Sequence, residues 1–316
     1  MSVVRKFVGR AKYNLVDYWP YIPAMNKSVQ ARERMAASLM TLPALSPNPK
    51  PQHEVHMLCG KKDSDMALWA SWSLLRFLPD AHLFIHSDGT FGTDDSRRLC
   101  ACVGNVSVIS KEERDILSER LLREAFPQLY VWRKKNFYGA KFLDFHLYGS
   151  SDRFLICDTD VLCFNRPDEV IRILQEGPPS LRWNTDNRTS YLISCDRLKT
   201  FVGGGLPEKL NAGFMVTKRW NSEDLAYFDN LLLRLEQSGI DTSHYRCEPS
   251  LYVASCIRHA SYGPLSEAYS VVGGKTSSRS VIRHYVGVPK IRYRFFLEGV
   301  PMLLKQIQGG TTWQAR

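Results

Sequence analysis

The 316-residue sequence contains no run of eighteen apolar residues, and its longest candidate stretch, Met66 to Leu75, is too short to span a bilayer. A signal-peptide pattern is also missing: Arg5 and Lys6 are followed by neither a continuous apolar core nor a small-residue cleavage site. No internal repeat, helix-turn-helix, RNP or zinc-finger pattern occurs, so nothing in the chain would carry nucleic-acid recognition. Cysteines stand at 59, 100, 102, 157, 163, 195, 247 and 256, with no paired Cys-x-x-Cys framework and no metal partners around Cys100 and Cys102. Several of them (Cys59, Cys157, Cys163) lie inside apolar runs, where cysteine acts as a small hydrophobe. All eight are expected to be reduced, which points to the cytoplasm. Gly273-Gly274-Lys275-Thr276 is not a P-loop, because the position five residues before Gly274 is Tyr269.

What the chain does have is an ordinary globular composition, 44% hydrophobic and 23% charged, which excludes disorder, collagen and coiled coil. Its length can bury a full core. A formal charge of +10 suggests an anionic partner such as phosphate or an acidic membrane face, or simply a solubility surplus. Three regions follow from the pattern. Residues 1–52 hold a basic amphipathic segment and a linker rich in proline (Pro43, Pro47, Pro49, Pro51); residues 53–290 alternate short apolar runs with helical patterns; residues 291–316 form a basic tail.

In the middle region, strands are expected at Val55–Cys59, His82–His86, Val106–Ile109 and Phe154–Cys157, with a further apolar run at Val161–Phe164. Helices are expected at Met66–Phe77, Glu112–Ala125 and Phe137–Tyr148. This alternation implies an α/β domain with a mostly parallel sheet, and ligands of such sheets bind at the carboxyl ends of the strands.

Three motifs sit at such ends. Asp158-Thr159-Asp160 lies between two of the most apolar runs in the chain. Carboxylates there are costly unless paired or bound to a metal, and Mn²⁺ or Mg²⁺ suits their oxygens. Asn211-Ala212-Gly213 opens an apolar strand; glycine lets backbone approach a ligand, and an ordinary loop-to-strand turn is the alternative. His284-Tyr285-Val286-Gly287-Val288-Pro289-Lys290 places an imidazole, a glycine and an ammonium in one loop.

In this order and spacing the motifs resemble the GT-A-fold retaining glycosyltransferases that include glycogenin and the bacterial lipopolysaccharide galactosyltransferases. The family pattern is Asp-x-Asp, then Asn-Ala/Ser-Gly, then His-x-x-Gly-x-x-Lys, and the match runs from Val55 to Lys290. The family's basic residue ahead of the first aspartate is matched by Lys141. His86-Ser87-Asp88-Gly89-Thr90 resembles a bacterial branch of such enzymes. The resemblance implies a GT-A (Rossmann-like) domain that moves a sugar from a nucleotide-diphosphate donor, a UDP-sugar by family default, to a saccharide or lipid-linked acceptor, with retention, as in polysaccharide biosynthesis. It implies that Asp158, Asp160 and His284 hold the metal, with Asp158 also near the ribose. Lys141 and Lys290 would neutralise the diphosphate, and Asn211, Gly213 and Gly287 would border the donor. Gly60 and Asp63 would lie near the base. Two departures stand out: Lys290 is followed by Ile291 and Arg292 instead of Pro-Trp, and the family's Asp-Gln pair appears as Glu248-Pro249. Glu248 is the candidate near the anomeric carbon, and Asp186 is another carboxylate near the donor or in an ordinary loop.

Two other activities compete. A nucleotidyltransferase would want a glycine-rich phosphate loop after the first strand, whereas Cys59-Gly60-Lys61-Lys62-Asp63 has one glycine. A catalytically inactive nucleotide-sugar-binding protein is the non-enzyme alternative. Gly203-Gly204-Gly205 is expected to be a mobile loop. At the termini, Val4, Phe7, Val8, Ala11 and Leu15 recur at helical spacing beside Arg5, Lys6, Arg10 and Lys12. Near the other end Arg292 and Arg294 precede Phe295-Phe296-Leu297, Met302, Leu303, Leu304 and Ile307. Both stripes suit either an anionic membrane surface or packing on the domain.

Overall fold

The computed structural model describes residues 13–39, 41–178, 180–271, 273–274 and 276–308. The basic stripe Val4 to Lys12 lies outside the described residues. Ten strands form one sheet: β1 His53–Cys59, β2 Ala81–Ser87, β3 Val106–Ile109, β4 Arg153–Cys157, β5 Val161–Cys163, β6 Ser180–Thr185, β7 Leu210–Lys218, β8 Ser261–Pro264, β9 Tyr269–Val271 and β10 Ile282–His284. Their order is β3-β2-β1-β4-β7-β6-β9-β10-β5, with β8 beside β6. The first four pair in parallel. β7 is antiparallel to both its neighbours, and β5 is antiparallel to β10. The chain is thus an α/β protein with a mostly parallel sheet flanked by helices.

Strands buried on both faces read as continuous apolar runs, and alternate residues feed opposite layers. Phe154 and Ile156 of β4 join one core layer while Leu155 and Cys157 join the other. The same parity divides Phe214 and Val216 from Met215 on β7. Each such side chain, fully buried, stabilises the fold by roughly 1.5–3 kcal/mol.

Several helices lie outside those expected from the sequence, among them Thr93–Cys102, Pro127–Lys135 and Ser222–Gln237. The expected helix Glu112–Ala125 spans Lys111–Leu122, and a separate helix covers Pro127–Lys135 before Gly139–Leu147 begins. The first starts at a capping box, in which Ser110 Oγ accepts from the Glu113 amide and Glu113 Oε2 accepts from the Ser110 amide. Pro127 starts the next, since proline has a helical φ and lacks only an amide that would be unpaired there anyway.

The described parts of the segments outside the middle region pack on the same body. Helix Ile22–Leu39 buries Ala31 and Leu39. The proline-rich stretch is anchored by Trp72 Nε1, which donates to the Pro43 carbonyl at 2.9 Å, and by a bridge between Leu45 and Val103. Phe295, Phe296, Val300 and Leu303 are buried in the core, so the C-terminal apolar stripe is occupied by packing. All eight cysteines are free thiols. No helix among the described residues is long and apolar enough to cross a membrane.

Candidate functional site

The sheet topology gathers residues far apart in sequence at one edge. β4 ends at Cys157, which lies opposite Phe214 of the antiparallel β7, so Asp158 and Gly213 are adjacent and the Asp158 amide donates to the Gly213 carbonyl at 2.7 Å. β10 ends at His284, paired with Val161 of β5, and the Tyr285 amide donates to the Asp160 carbonyl at 2.8 Å. Asp158, Asp160, Asn211, Gly213 and His284 therefore share one corner.

A cavity of about 420 Å³ opens there, lined by Lys141, Asp158, Asp160, Asp186, Asn211, Gly213, Glu248, His284, Gly287, Lys290 and Arg292 among others. A second, of about 130 Å³, is lined by Gly60, Asp63, Asp88 and Thr159, and shares Tyr138, Lys141, Asp158, Asp160 and Arg292 with the first. Every residue singled out as a site candidate lines one of the two. Gly203-Gly204-Gly205 lines neither.

Asp158, Asp160 and His284 each offer a ligand atom within 4.8 Å of the others. His284 Nε2 is 2.9 Å from Asp160 Oδ1 and 3.9 Å from Asp158 Oδ2. Its Nδ1 is 3.0 Å from Asn211 Oδ1, which also accepts from the Gly213 amide at 2.8 Å. The Asn211 amide nitrogen donates to Asp186 Oδ2 at 3.1 Å, so its orientation is determined and Oδ1 can only accept. Nδ1 of His284 must then carry a proton, which leaves Nε2 to take a second proton or a metal. Burial disfavours the imidazolium, but Asp160 outweighs it and raises the His284 pKa. Burial likewise opposes the Asp160 carboxylate, and His284 reverses this and lowers its pKa.

Two carboxylates and an imidazole form a donor set that a divalent cation can take, and the corner is shaped to keep them close. A Cβ at Gly213 would come 2.1 Å from His284 Cε1 and 2.7 Å from Asp158 Oδ2, so no other residue fits without displacing a ligand. The residues present fit a divalent ion.

Lys141 stands behind this set. Its ammonium is 2.7 Å from Asp158 Oδ1 and 3.5 Å from Glu248 Oε1. Burial works against the charge, but Asp158 and Glu248 together raise its pKa. Burial pushes Glu248 up to about 7 although Lys141 opposes the shift. The helix carrying Lys141 is locked by Asp144, which takes Arg114 at 2.6 Å and Arg133 at 2.6 and 2.8 Å in the interior. At Gly60 a Cβ would meet Asp88 Oδ2 at 2.1 Å, so the carboxylate packs on bare backbone.

Tyr138 and Arg292 were not among the sequence candidates. Tyr138 lies shortly before Lys141, and Arg292 was visible as a departure from the family pattern and as a basic residue ahead of the C-terminal apolar stripe. Their position comes from helix Gly139–Leu147 and from the short helix Pro289–Arg292.

The sequence matches no protein-family model and no curated protein. Similar solved structures include mouse xyloside xylosyltransferase 1 in its apo form, 14% identical over 73% of this chain and 97% of that one, with a TM-score of 0.48. The galactosyltransferase LgtC in complex with donor and acceptor sugar analogs is 12% identical over 80% and 95%, with a TM-score of 0.46. Core-mannan synthase A of Aspergillus fumigatus, in an Mn/GDP form, is 11% identical over 79% and 85%, with a TM-score of 0.43. The chain is similar to glycosyltransferase structures.

Proposed function

We propose that this chain is a metal-dependent glycosyltransferase that moves a sugar from a nucleotide-diphosphate donor to an acceptor hydroxyl. The observation that carries this reading is a single cavity in which an Asp, Asp, His donor set meets three basic side chains, Lys141, Lys290 and Arg292. A divalent ion held by Asp158, Asp160 and His284 would supply Lewis-acid stabilisation of the leaving diphosphate. Lys290, on the cavity wall, suits the same phosphate charge, and such groups act most strongly as the sugar–phosphate bond breaks. Lys141 holds Asp158 in place and separates it from Glu248. Glu248, poised near neutrality, can accept from or donate to a sugar hydroxyl. Gly60, Asp63 and Asp88 border the smaller cavity, which suits the nucleoside end of the donor. A uridine nucleotide and retention of configuration follow from the sequence resemblance.

A lipid-linked acceptor at an anionic membrane surface completes the proposal. Leu15, Val16 and Trp19 are 59%, 56% and 55% exposed. They belong to the 13–21 segment, whose first part packs against the Pro289–Arg292 helix that lines the donor cavity. Apolar and aromatic side chains beside a substrate mouth suit the lipid interface.

The test is turnover of a panel of nucleotide-diphosphate sugars with Mn²⁺, using Asp160→Ala as the control. Hydrolysis or transfer by the parent, lost in a folded Asp160→Ala variant, supports the assignment. Pyrophosphate release from nucleoside triphosphates, without sugar-nucleotide turnover, would replace it with nucleotidyl transfer. Near-parental turnover by Asp160→Ala with added Mn²⁺ would remove Asp160 from the metal site.

A further inference from the structure

Arg292 does something that none of the three motifs requires. Its Nη1 is 3.4 Å from Asp160 Oδ2 and its Nη2 is 2.5 Å from Asp63 Oδ1, with Met66 Sδ 3.5 Å from Nη2. The two oxygens of Asp160 are thus divided, Oδ1 facing His284 and Oδ2 facing the guanidinium. Arg292 also lines both cavities, so it stands where they meet.

We infer that Arg292 is a positioning residue that couples metal binding to donor binding, by occupying Asp160 until a diphosphate draws it away. This rests on the reading of Asp158, Asp160 and His284 as metal ligands. An arginine stays charged at any relevant pH, so it cannot relieve repulsion toward a dication by losing a proton; it has to move or be rebalanced. Like charges a few ångströms apart in a partly buried site repel strongly. A cation entering alone therefore meets an Asp160 already partly neutralised and a fixed positive charge beside it. A diphosphate in the larger cavity offers the guanidinium fork two oxygens in a geometry it matches well. Once Arg292 turns to that diphosphate, Asp160 Oδ2 is released and the repulsion is offset by phosphate charge. The guanidinium lies beside the bare backbone of Gly287, where an added Cβ would be 3.4 Å from Nη1.

The experiment measures Mn²⁺ affinity by calorimetry or electron paramagnetic resonance, without nucleotide and with saturating UDP. Arg292→Met keeps an apolar stem against Met66 and removes the charge. It should bind Mn²⁺ alone about tenfold more tightly than the parent, and the gain on adding UDP should shrink by a similar factor. Arg292→Lys keeps the charge and should stay within about threefold of the parent for Mn²⁺ alone. Should Arg292→Met fail to fold, Arg292→Gln carries the same expectation. A folded charge-removing variant that binds Mn²⁺ alone no better than the parent overturns the inference while leaving the metal site standing. A parent that binds no Mn²⁺, with or without UDP, overturns the metal site and this inference with it.

Discussion

Asn211 Oδ1 lies 3.0 Å from Nδ1 of His284, although the two residues are 73 positions apart. This contact selects the tautomer that turns Nε2 toward Asp160 and Asp158. An outer partner of a ligating histidine typically contributes 10- to 100-fold in metal affinity. Asn211→Leu should therefore weaken Mn²⁺ binding by roughly tenfold or more. Calorimetric titration with Mn²⁺ decides the point; equal affinities for parent and Asn211→Leu would mean the contact only packs the corner.

His284 and Lys290 belong to one motif, and the proposed function gives them different partners, so their loss should look different. His284→Ala removes a ligand and should raise the Mn²⁺ concentration needed for half-maximal turnover by more than about tenfold. Lys290→Ala should lower turnover by about 100-fold with little change in that concentration, because it acts on phosphate charge. Matched metal titrations of both variants separate the two, and a common profile would contradict the division of labour.

Gly213→Ala tests the shape of the corner directly. Its Cβ would overlap His284 and Asp158, so turnover should fall by at least about 100-fold even with saturating Mn²⁺. Gly205→Ala has nothing within 4 Å of its added Cβ and serves as the control with parental activity. Parental turnover by Gly213→Ala would show that the ligands can separate without cost.

Stability should fall on the acid side of neutrality. Burial lowers the pKa of His56 and His259 to about 4 and puts His86 and His146 well below the ordinary value of 6.5. Below 6.5 the unfolded chain takes up protons that the folded chain refuses, so each of the four removes up to ~1.4 kcal/mol per pH unit as the solution is acidified. His284 runs the other way: its folded pKa is raised, so its contribution is present below 6.5 and lost as pH rises through the folded value. His53 and His82 are lowered as well, so six histidines act in this sense; among the described residues only His284 and Glu248, both raised, act against them, and the net slope is destabilising in acid. His146 stacks on Trp220 at 3.5 Å with no hydrogen-bond partner for either ring nitrogen among the described residues. His146→Phe should then be more stable by about 1 kcal/mol at neutral pH and show a shallower acid slope. Denaturant unfolding at several pH values between about 5 and 7 measures both, and an unchanged slope would count against a neutral buried His146.

Vesicle binding tests the exposed segment beside the cavity. The parent should co-sediment with anionic vesicles at low salt and less with neutral ones, and Trp19→Ser with Leu15→Ser should cut the bound fraction several-fold. Failure to pellet with either vesicle would leave the segment as surface only.

Much of the architecture was legible from local pattern. β3 begins and ends where the apolar run Val106–Ile109 does, and Phe154–Cys157 differs from β4 only by Arg153. The helix Pro127–Lys135 was not legible, because its apolar residues follow no clear stripe and its beginning depends on a proline. The buried Asp144, Arg114 and Arg133 cluster was equally hidden, since charged residues on helices look solvent-exposed until packing encloses them.

By itself, the sequence determined which residues could be ligands and where β1 to β5 lie, because burial on two faces writes continuous apolar runs and a polar residue at their boundary stands out. Only the tertiary structure decided that these ends meet. Nothing periodic in residues 210–218 says that β7 runs against β4, yet that direction alone brings Asn211 and Gly213 to Asp158 and His284. Nor does any local signal say that Arg292 reaches Asp160 across 132 positions of chain. Strand order and direction arise from the summed packing of all ten strands, and a site made of residues from several of their ends exists only once that packing is complete.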